Sequence, residues 1–234
     1  MEKRAEYDTV STTRVHVIVE GPTEREFVRN LLLPALAPSG VLLLPHVLGK
    51  AGGLSRYAPV KRDILRTLKE DRAAYCTTML DFFELPRDFP GMPVRGGLSA
   101  IAKARIVEQS LVDDIEYRLS EKLRPDRFLP YVQMHEFEGI LFSAPDAFAQ
   151  AIRRDDLARR FASVRRLFPT PEDINDGQDT APSKRILKLY PRYQKVKDGP
   201  LAAAAIGLEA IRRECPHFND WVNQLERLGK REGT

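Results

Sequence analysis

Cysteine is nearly absent from the chain: Cys76 and Cys215 are the only two in 234 residues, and they form no CxxC pair. That excludes a disulfide framework and a zinc knuckle, and it fits a reducing cytoplasm. Histidine is scarce and scattered, at His16, His46, His135 and His217. His135-Glu136 opens like the HExxH of a zinc protease, but Gly139 stands where the second histidine is needed, so that site is excluded too. No run is long and apolar enough for a membrane span, and the opening MEKRAEYDTV lacks the apolar stretch of a signal peptide. Internal repeats, heptads and low-complexity tracts are missing. The Gly49-Lys50-Ala51-Gly52-Gly53 run has Leu44 in place of the first Walker glycine and Ala51 in place of the Ser/Thr, so it reads as a flexible turn able to approach a substrate rather than a P-loop.

What is present is an ordinary globular composition, 43% hydrophobic, enough for one large domain with a full core. Lys and Arg total 37 against 33 acids, a formal charge of +4. A mildly basic surface is compatible with a phosphate-bearing partner. The doublets Arg153-Arg154, Arg159-Arg160 and Arg165-Arg166 place basic faces on one or two helices; a nucleic-acid face and an ordinary solvated helix surface both have this pattern.

The stretch Arg14 to Phe27, RVHVIVEGPTEREF, organises the rest. Val15, Val17, Ile18 and Val19 suit a strand buried on both faces, as in a parallel sheet. Thr23 with Glu26 three residues on predicts a capping box and a helix from about Glu24. Glu20 is then left at the carboxyl end of a strand, the edge at which ligands and catalytic groups collect in open α/β sheets. A second strand is predicted over Val41 to Leu48, a helix through Tyr57, Val60, Ile64, Leu65 and Leu68, and a third strand over Ala74 to Leu80 delivering Asp81. The alternation argues for a parallel, helix-covered sheet, with Glu20 and Asp81 on one edge. Beyond it lie a long Pro/Gly loop (Phe82 to Gly97), the longest helix (Ile101 to Leu123) and a fourth strand (Phe128 to Met134) ending in His135-Glu136-Phe137-Glu138. An arginine-rich helical region, a polar loop (Pro169 to Pro182) and two closing helices (Leu201 to Arg213 and Phe218 to Leu228) complete the chain.

Carboxylates from separate strand ends are what magnesium chemistry on phosphodiesters requires, since Mg²⁺ is hard, prefers oxygen and keeps several waters. Glu20 and Asp81, with either Glu138 or Glu84 and Glu138 preferred, supply such a set for Mg²⁺ or Mn²⁺. A cation nearby, Lys50, Lys184 or Arg185, offsets charge developing on the phosphate. Lys50, Arg153, Arg154, Arg165, Arg166 and Arg185 are the candidates for binding nucleic acid.

Five runs together carry a family resemblance: EG-x-TE after the first strand, TTMLDFFELP (Thr77 to Pro86), YVQMHEFEGILFS (Tyr131 to Ser143), INDG-x-x-TAPSKRI (Ile174 to Ile186) and CPHFNDW (Cys215 to Trp221). The chain resembles, over nearly its whole length, a bacterial toprim-like family known as a domain of unknown function, related to OLD-type nucleases. The resemblance implies an α/β, toprim-like (Rossmann-like) fold with a mostly parallel four-stranded sheet flanked by helices. It implies a core over residues 1–144 and a helical C-terminal elaboration over 145–234 packed on it. Glu20 matches the toprim glutamate and Asp81 the first aspartate of Asp-x-Asp, while Phe83 stands where the second aspartate belongs. Lys184 fits the basic residue that OLD-like nucleases bring to the metal. The implied function is a cytoplasmic Mg²⁺-dependent nuclease acting on DNA or RNA, in phage defence beside an ABC/SMC-type ATPase. The alternative, favoured by Phe83, is a catalytically inactive toprim-like binding or sensor module for that ATPase.

Overall fold

The computed structural model describes residues 12–49, 54–119, 125–175, 177 and 179–230. The chain runs β1 (Thr13–Val19), α1 (Pro22–Phe27), α2 (Leu33–Leu36), β2 (Val41–Val47), α3 (Tyr57–Glu70), β3 (Tyr75–Asp81), α4 (Ala100–Arg118), β4 (Phe128–Leu129) and β5 (Val132–Gln133). Six helices follow among the described residues: α5 (Pro145–Ala151), α6 (Ala158–Arg165), α7 (Pro182–Leu189), α8 (Lys195–Ile206), α9 (Leu208–Glu214) and α10 (Pro216–Lys230). The sheet is parallel throughout, in the order β2-β1-β3-β4, with β5 continuing the β4 side of β3. This is the α/β fold with a mostly parallel, helix-flanked sheet that the sequence predicts. Among the described residues no helix is long and apolar enough to cross a membrane.

Strand periodicity sorts the core into two layers. Val15, Val17 and Val19 with Tyr75 and Met79 face one way and pack on Phe27, Leu32 and Leu36 and on the C-terminal helices through Phe148, Phe161, Phe218 and Trp221. Ile18, Cys76 and Leu80 face the other way, onto Val60, Ile64 and Leu68 of α3 and Val107, Leu111 and Ile115 of α4. Because side chains alternate along a strand, Asp81 continues the series Tyr75, Thr77, Met79 and emerges on the side of the C-terminal helices. Residues beyond 144 therefore furnish much of one of the two layers that cover the sheet.

Several boundaries differ from the sequence reading. The first helix begins at Pro22 with Gly21 as its N-cap, two residues before the predicted start, because the capping carboxylate is Glu24, which accepts from the Gly21 N–H at 2.9 Å. The fourth strand is split at Pro130, which has no N–H to give the ladder. Register survives the break, with Cys76 opposite Phe128 and Leu80 opposite Val132. The Thr78 hydroxyl bridges the gap, donating to the Tyr131 carbonyl (2.9 Å) and accepting from the Tyr131 N–H (3.0 Å). The longest helix is α4, placed to Arg118; residues 120–124 of the predicted helix lie outside the described residues. The closing region holds more helix than predicted: α7 and α8 precede the expected Leu201 start, and Gly207, at φ 81°, separates α8 from α9. Asp198-Gly199-Pro200 is turn chemistry in sequence, yet it lies inside α8.

Candidate metal centre at the carboxyl edge of the sheet

β1 and β3 are parallel neighbours, with Val19 opposite Met79, so their carboxyl ends open on one edge. Glu20 is half-buried there, and its Oε2 accepts from the backbone N–H of Asp81 at 3.3 Å. The next turn is fixed by Gly21, whose N–H holds Glu24 Oε2 and leaves Oε1 facing the sheet edge. Glu138 arrives from the other side of β3. His135, at φ 59°, reverses the chain after β5, and its carbonyl is pinned by the Phe83 N–H at 3.0 Å, so the turn Phe137–Ser143 carries Glu138 back over the edge.

The centre of this arrangement is a lysine. Lys195 Nζ lies 3.0 Å from Asp81 Oδ2, 3.5 Å from Glu138 Oε2 and 3.6 Å from Glu24 Oε1. It stands on the first turn of α8, whose N-terminal dipole adds positive charge on the same side. The helix seats this close because residue 199 is glycine. A Cβ there would come 3.1 Å from Phe137, 3.2 Å from the Tyr193 hydroxyl and 3.3 Å from Thr23.

One ammonium does not balance four carboxyls. Asp81, Glu24 and Glu138 are 0–2% exposed, and Asp81 Oδ1, Glu24 Oε1 and both oxygens of Glu138 are buried with no hydrogen-bond partner among the described residues. Burial and then the charge of Asp81 push Glu20 up to about 8 from an ordinary 4.5. Burial raises Glu138 to about 7, with Lys195 offsetting part of the effect, and Glu24 rises for the same reasons as Glu20. For Lys195, burial alone would lower the ammonium pKa, but Asp81, Glu138 and Glu24 outweigh it and hold the charge firmly. The Tyr193 hydroxyl completes the wall, buried and without a hydrogen-bond partner among the described residues.

Of the residues singled out in sequence, Glu20, Asp81 and Glu138 are brought together here. Glu84 is exposed, on the short turn after β3. Lys184 is also exposed and does not reach the acids: the neighbouring Ser183 N–H and hydroxyl are held by Glu136 at 2.8 and 3.0 Å, which fixes the start of α7. Lys50 lies outside the described residues.

Among the candidate arginines, four have a partner within the chain, Arg166 only the nearby Ser163 hydroxyl, to which it donates at 3.1 Å. Arg154 pairs with Asp156 at 2.6 Å, and Arg165 binds the Phe168 carbonyl and Glu214 at 2.8 and 2.9 Å. Arg185 binds the Thr180 carbonyl at 2.6 Å and stacks on Phe168. Arg153 and Arg166 are exposed. Sequence reasoning missed Lys195 and Tyr193, which lie in no recognisable motif. It had Glu24 only as a helix start, although its place four residues after Glu20 was a usable signal.

Among the described residues no three His, Cys, Asp or Glu side chains stand as a preformed ligand set for a metal. The point on which Glu24, Asp81 and Glu138 converge is taken by the Lys195 ammonium.

Two solved structures of the C-terminal region of the Xanthomonas campestris pv. campestris OLD protein are similar to this chain. The one phased with iodine is 15% identical with a TM-score of 0.43, covering 94% of this chain and 98% of that one. The one phased with mercury is 13% identical with a TM-score of 0.46, covering 95% and 98%. No curated protein matches the chain significantly. A family model does: residues 19–226 match the one described as "Domain of unknown function (DUF4276)", and the chain belongs to that family.

Proposed function

We propose that the protein is a Mg²⁺- or Mn²⁺-dependent nuclease of the toprim-like kind, hydrolysing phosphodiester bonds of nucleic acid at the edge formed by Glu20, Asp81 and Glu138. The observation that carries this reading is the excess of buried carboxylate around one ammonium, with four carboxylate oxygens lacking hydrogen-bond donors. A buried polar atom left without a partner costs about 1–3 kcal/mol, and more when charged, so a fold that keeps several together keeps them for something that binds there. Hard carboxylate oxygens fit a hard divalent cation. Glu20, Asp81 and Glu138 would hold it, with Glu24 behind them. The chemistry it would supply there is polarisation of a phosphoryl oxygen and a lowered pKa for a water.

The chain's own contributions are separable. The carboxylates would position the ion, the α8 N-terminus and Lys195 would attract the phosphate, and the buried wall of Tyr193 and Phe137 would limit water at the edge. The setting, phage defence beside an ABC/SMC-type ATPase, is supported by the motif resemblance alone. A second reading has one observation in its favour: Phe83, in place of the second toprim aspartate, is 43% exposed, and Glu84 beside it points to solvent, so neither completes an Asp-x-Asp. That reading makes the protein an inactive toprim-like binding module for the ATPase.

The test is cleavage of single- and double-stranded DNA and of RNA, including tRNA, by the full chain with Mg²⁺, Mn²⁺ or EDTA, with and without an ATPase encoded beside it. Metal-dependent cleavage abolished by Glu138→Gln supports the nuclease. Salt-dependent binding with no cleavage under any condition selects the binding module.

A further inference from the structure

The acids and the lysine differ in how firmly they are held. Glu24 is tied to the Gly21 N–H, Asp81 ends a central strand, and Glu138 sits in a turn that is closed by the Gly139 N–H on the Glu136 carbonyl and follows a His135 carbonyl held by the Phe83 N–H. Their side chains are 3%, 0% and 1% exposed, whereas that of Lys195 is 38% exposed on the first turn of α8. The carboxylates cannot leave without opening the core; the ammonium, on a flexible four-carbon stem at the surface, can. A divalent ion and this ammonium want the same oxygens, Asp81 Oδ2 and Glu138 Oε2 among them. An ammonium displaced from them stays tethered at the mouth of the edge with its countercharge gone.

We propose that Lys195 is a built-in place-holder for the divalent ion: ion and ammonium compete for the carboxylates, and the displaced ammonium becomes a contact for the substrate phosphate. Ion and nucleic acid then bind with positive coupling, since each favours the outward position of the same side chain. This inference rests on the metal-site reading above.

The experiment is calorimetric Mn²⁺ titration of the full chain as wild type, Lys195→Gln and Glu138→Gln, each with and without a cleavage-resistant phosphorothioate oligonucleotide. Lys195→Gln should bind Mn²⁺ about tenfold more tightly than wild type without oligonucleotide, within the usual range of coupling factors. The oligonucleotide should tighten Mn²⁺ on wild type about fivefold and leave Lys195→Gln unchanged. Wild-type binding that is lost in Glu138→Gln but equal or weaker in Lys195→Gln would overturn the place-holder and leave the metal site standing. Absence of Mn²⁺ binding by both wild type and Lys195→Gln would overturn the metal site and the place-holder together. Should Lys195→Gln fail to fold, the Nζ resonance of Lys195 in ¹⁵N-lysine-labelled wild type carries the test: saturation with Mg²⁺ must move it, and an unmoved resonance contradicts displacement.

Discussion

Glu138 and Glu172 are each 1% exposed, and they have opposite surroundings. Both oxygens of Glu172 are used: they accept from the His217 and Phe218 N–H groups at 3.0 and 2.9 Å, capping α10 from the neighbouring turn. Among the described residues neither oxygen of Glu138 has a hydrogen bond, and the cation beside it is a lysine shared with two other acids. Burial alone therefore does not separate a structural carboxylate from a functional one; the presence of donors does. Glu172 completes a helix terminus, and Glu138 is the carboxylate that the proposed ion would satisfy.

The largest expected effect lies on the structural side. Glu172→Ala leaves two N-terminal amides of α10 without their acceptor, and with charge-assisted bonds worth about 1.5–3 kcal/mol each, the loss in denaturant unfolding should reach about 3 kcal/mol or more. Metal binding by whatever remains folded should be unchanged. Glu138→Gln should do the reverse. Loss of an outer-shell partner of a metal ligand costs about 10–100-fold in affinity, and a direct ligand belongs at the top of that range, so Mn²⁺ affinity and cleavage should fall about 100-fold. The ion-free protein should be as stable as wild type or more so, since one buried like charge is gone. A Glu138→Gln protein that unfolds like Glu172→Ala would collapse the distinction.

The pH response sharpens it further. Glu20, at about 8, and Glu138, at about 7, hold protons in the folded state that the unfolded chain has already released above about 4.5. The folded state thus binds more protons across that window, and unfolding free energy should fall as pH rises from about 4.5 toward 8. Saturating Mg²⁺ should flatten the fall, because ion binding favours the ionised acids. Thermal melts at a series of pH values, with Mg²⁺ and with EDTA, check both statements. The smallest effect is at the periphery. Arg166→Ala should leave stability nearly unchanged and reduce the slope of log affinity against log salt for nucleic acid by roughly one unit if the side chain meets a phosphate. Arg165 is unsuitable for that test because it also holds the Phe168 carbonyl and Glu214.

The sheet was legible because its strands announce themselves: a β-branched run ends in Glu20 and a largely apolar run in Asp81, and strand alternation fixes which side Asp81 faces. The His-Glu-Phe-Glu run was legible as acid at a strand exit, although which of its two glutamates would reach the edge was set by the left-handed turn at His135. Lys195 was not legible. It precedes Asp198-Gly199-Pro200, which reads as a turn, and its partners are distant in sequence, so only the close seating of α8 on α1 at Gly199 brings it to the acids. Lys184 had the better motif but the worse position, since Glu136 spends its carboxylate on the start of α7. The break at Pro130 was not legible either: the run reads as one strand, and the Thr78 hydroxyl that bridges to Tyr131 across the break belongs to β3, distant in sequence.

The central claim, that the carboxylates of Glu20, Asp81 and Glu138 are held for a divalent ion, is tested most directly by anomalous diffraction from crystals soaked in Mn²⁺. The predicted result is a peak at the carboxyl edge of β1 and β3, about 2.1 Å from oxygens of at least two of these residues, with Lys195 Nζ moved away from Asp81. A peak elsewhere on the molecule, or none at a Mn²⁺ concentration that supports cleavage, would contradict it.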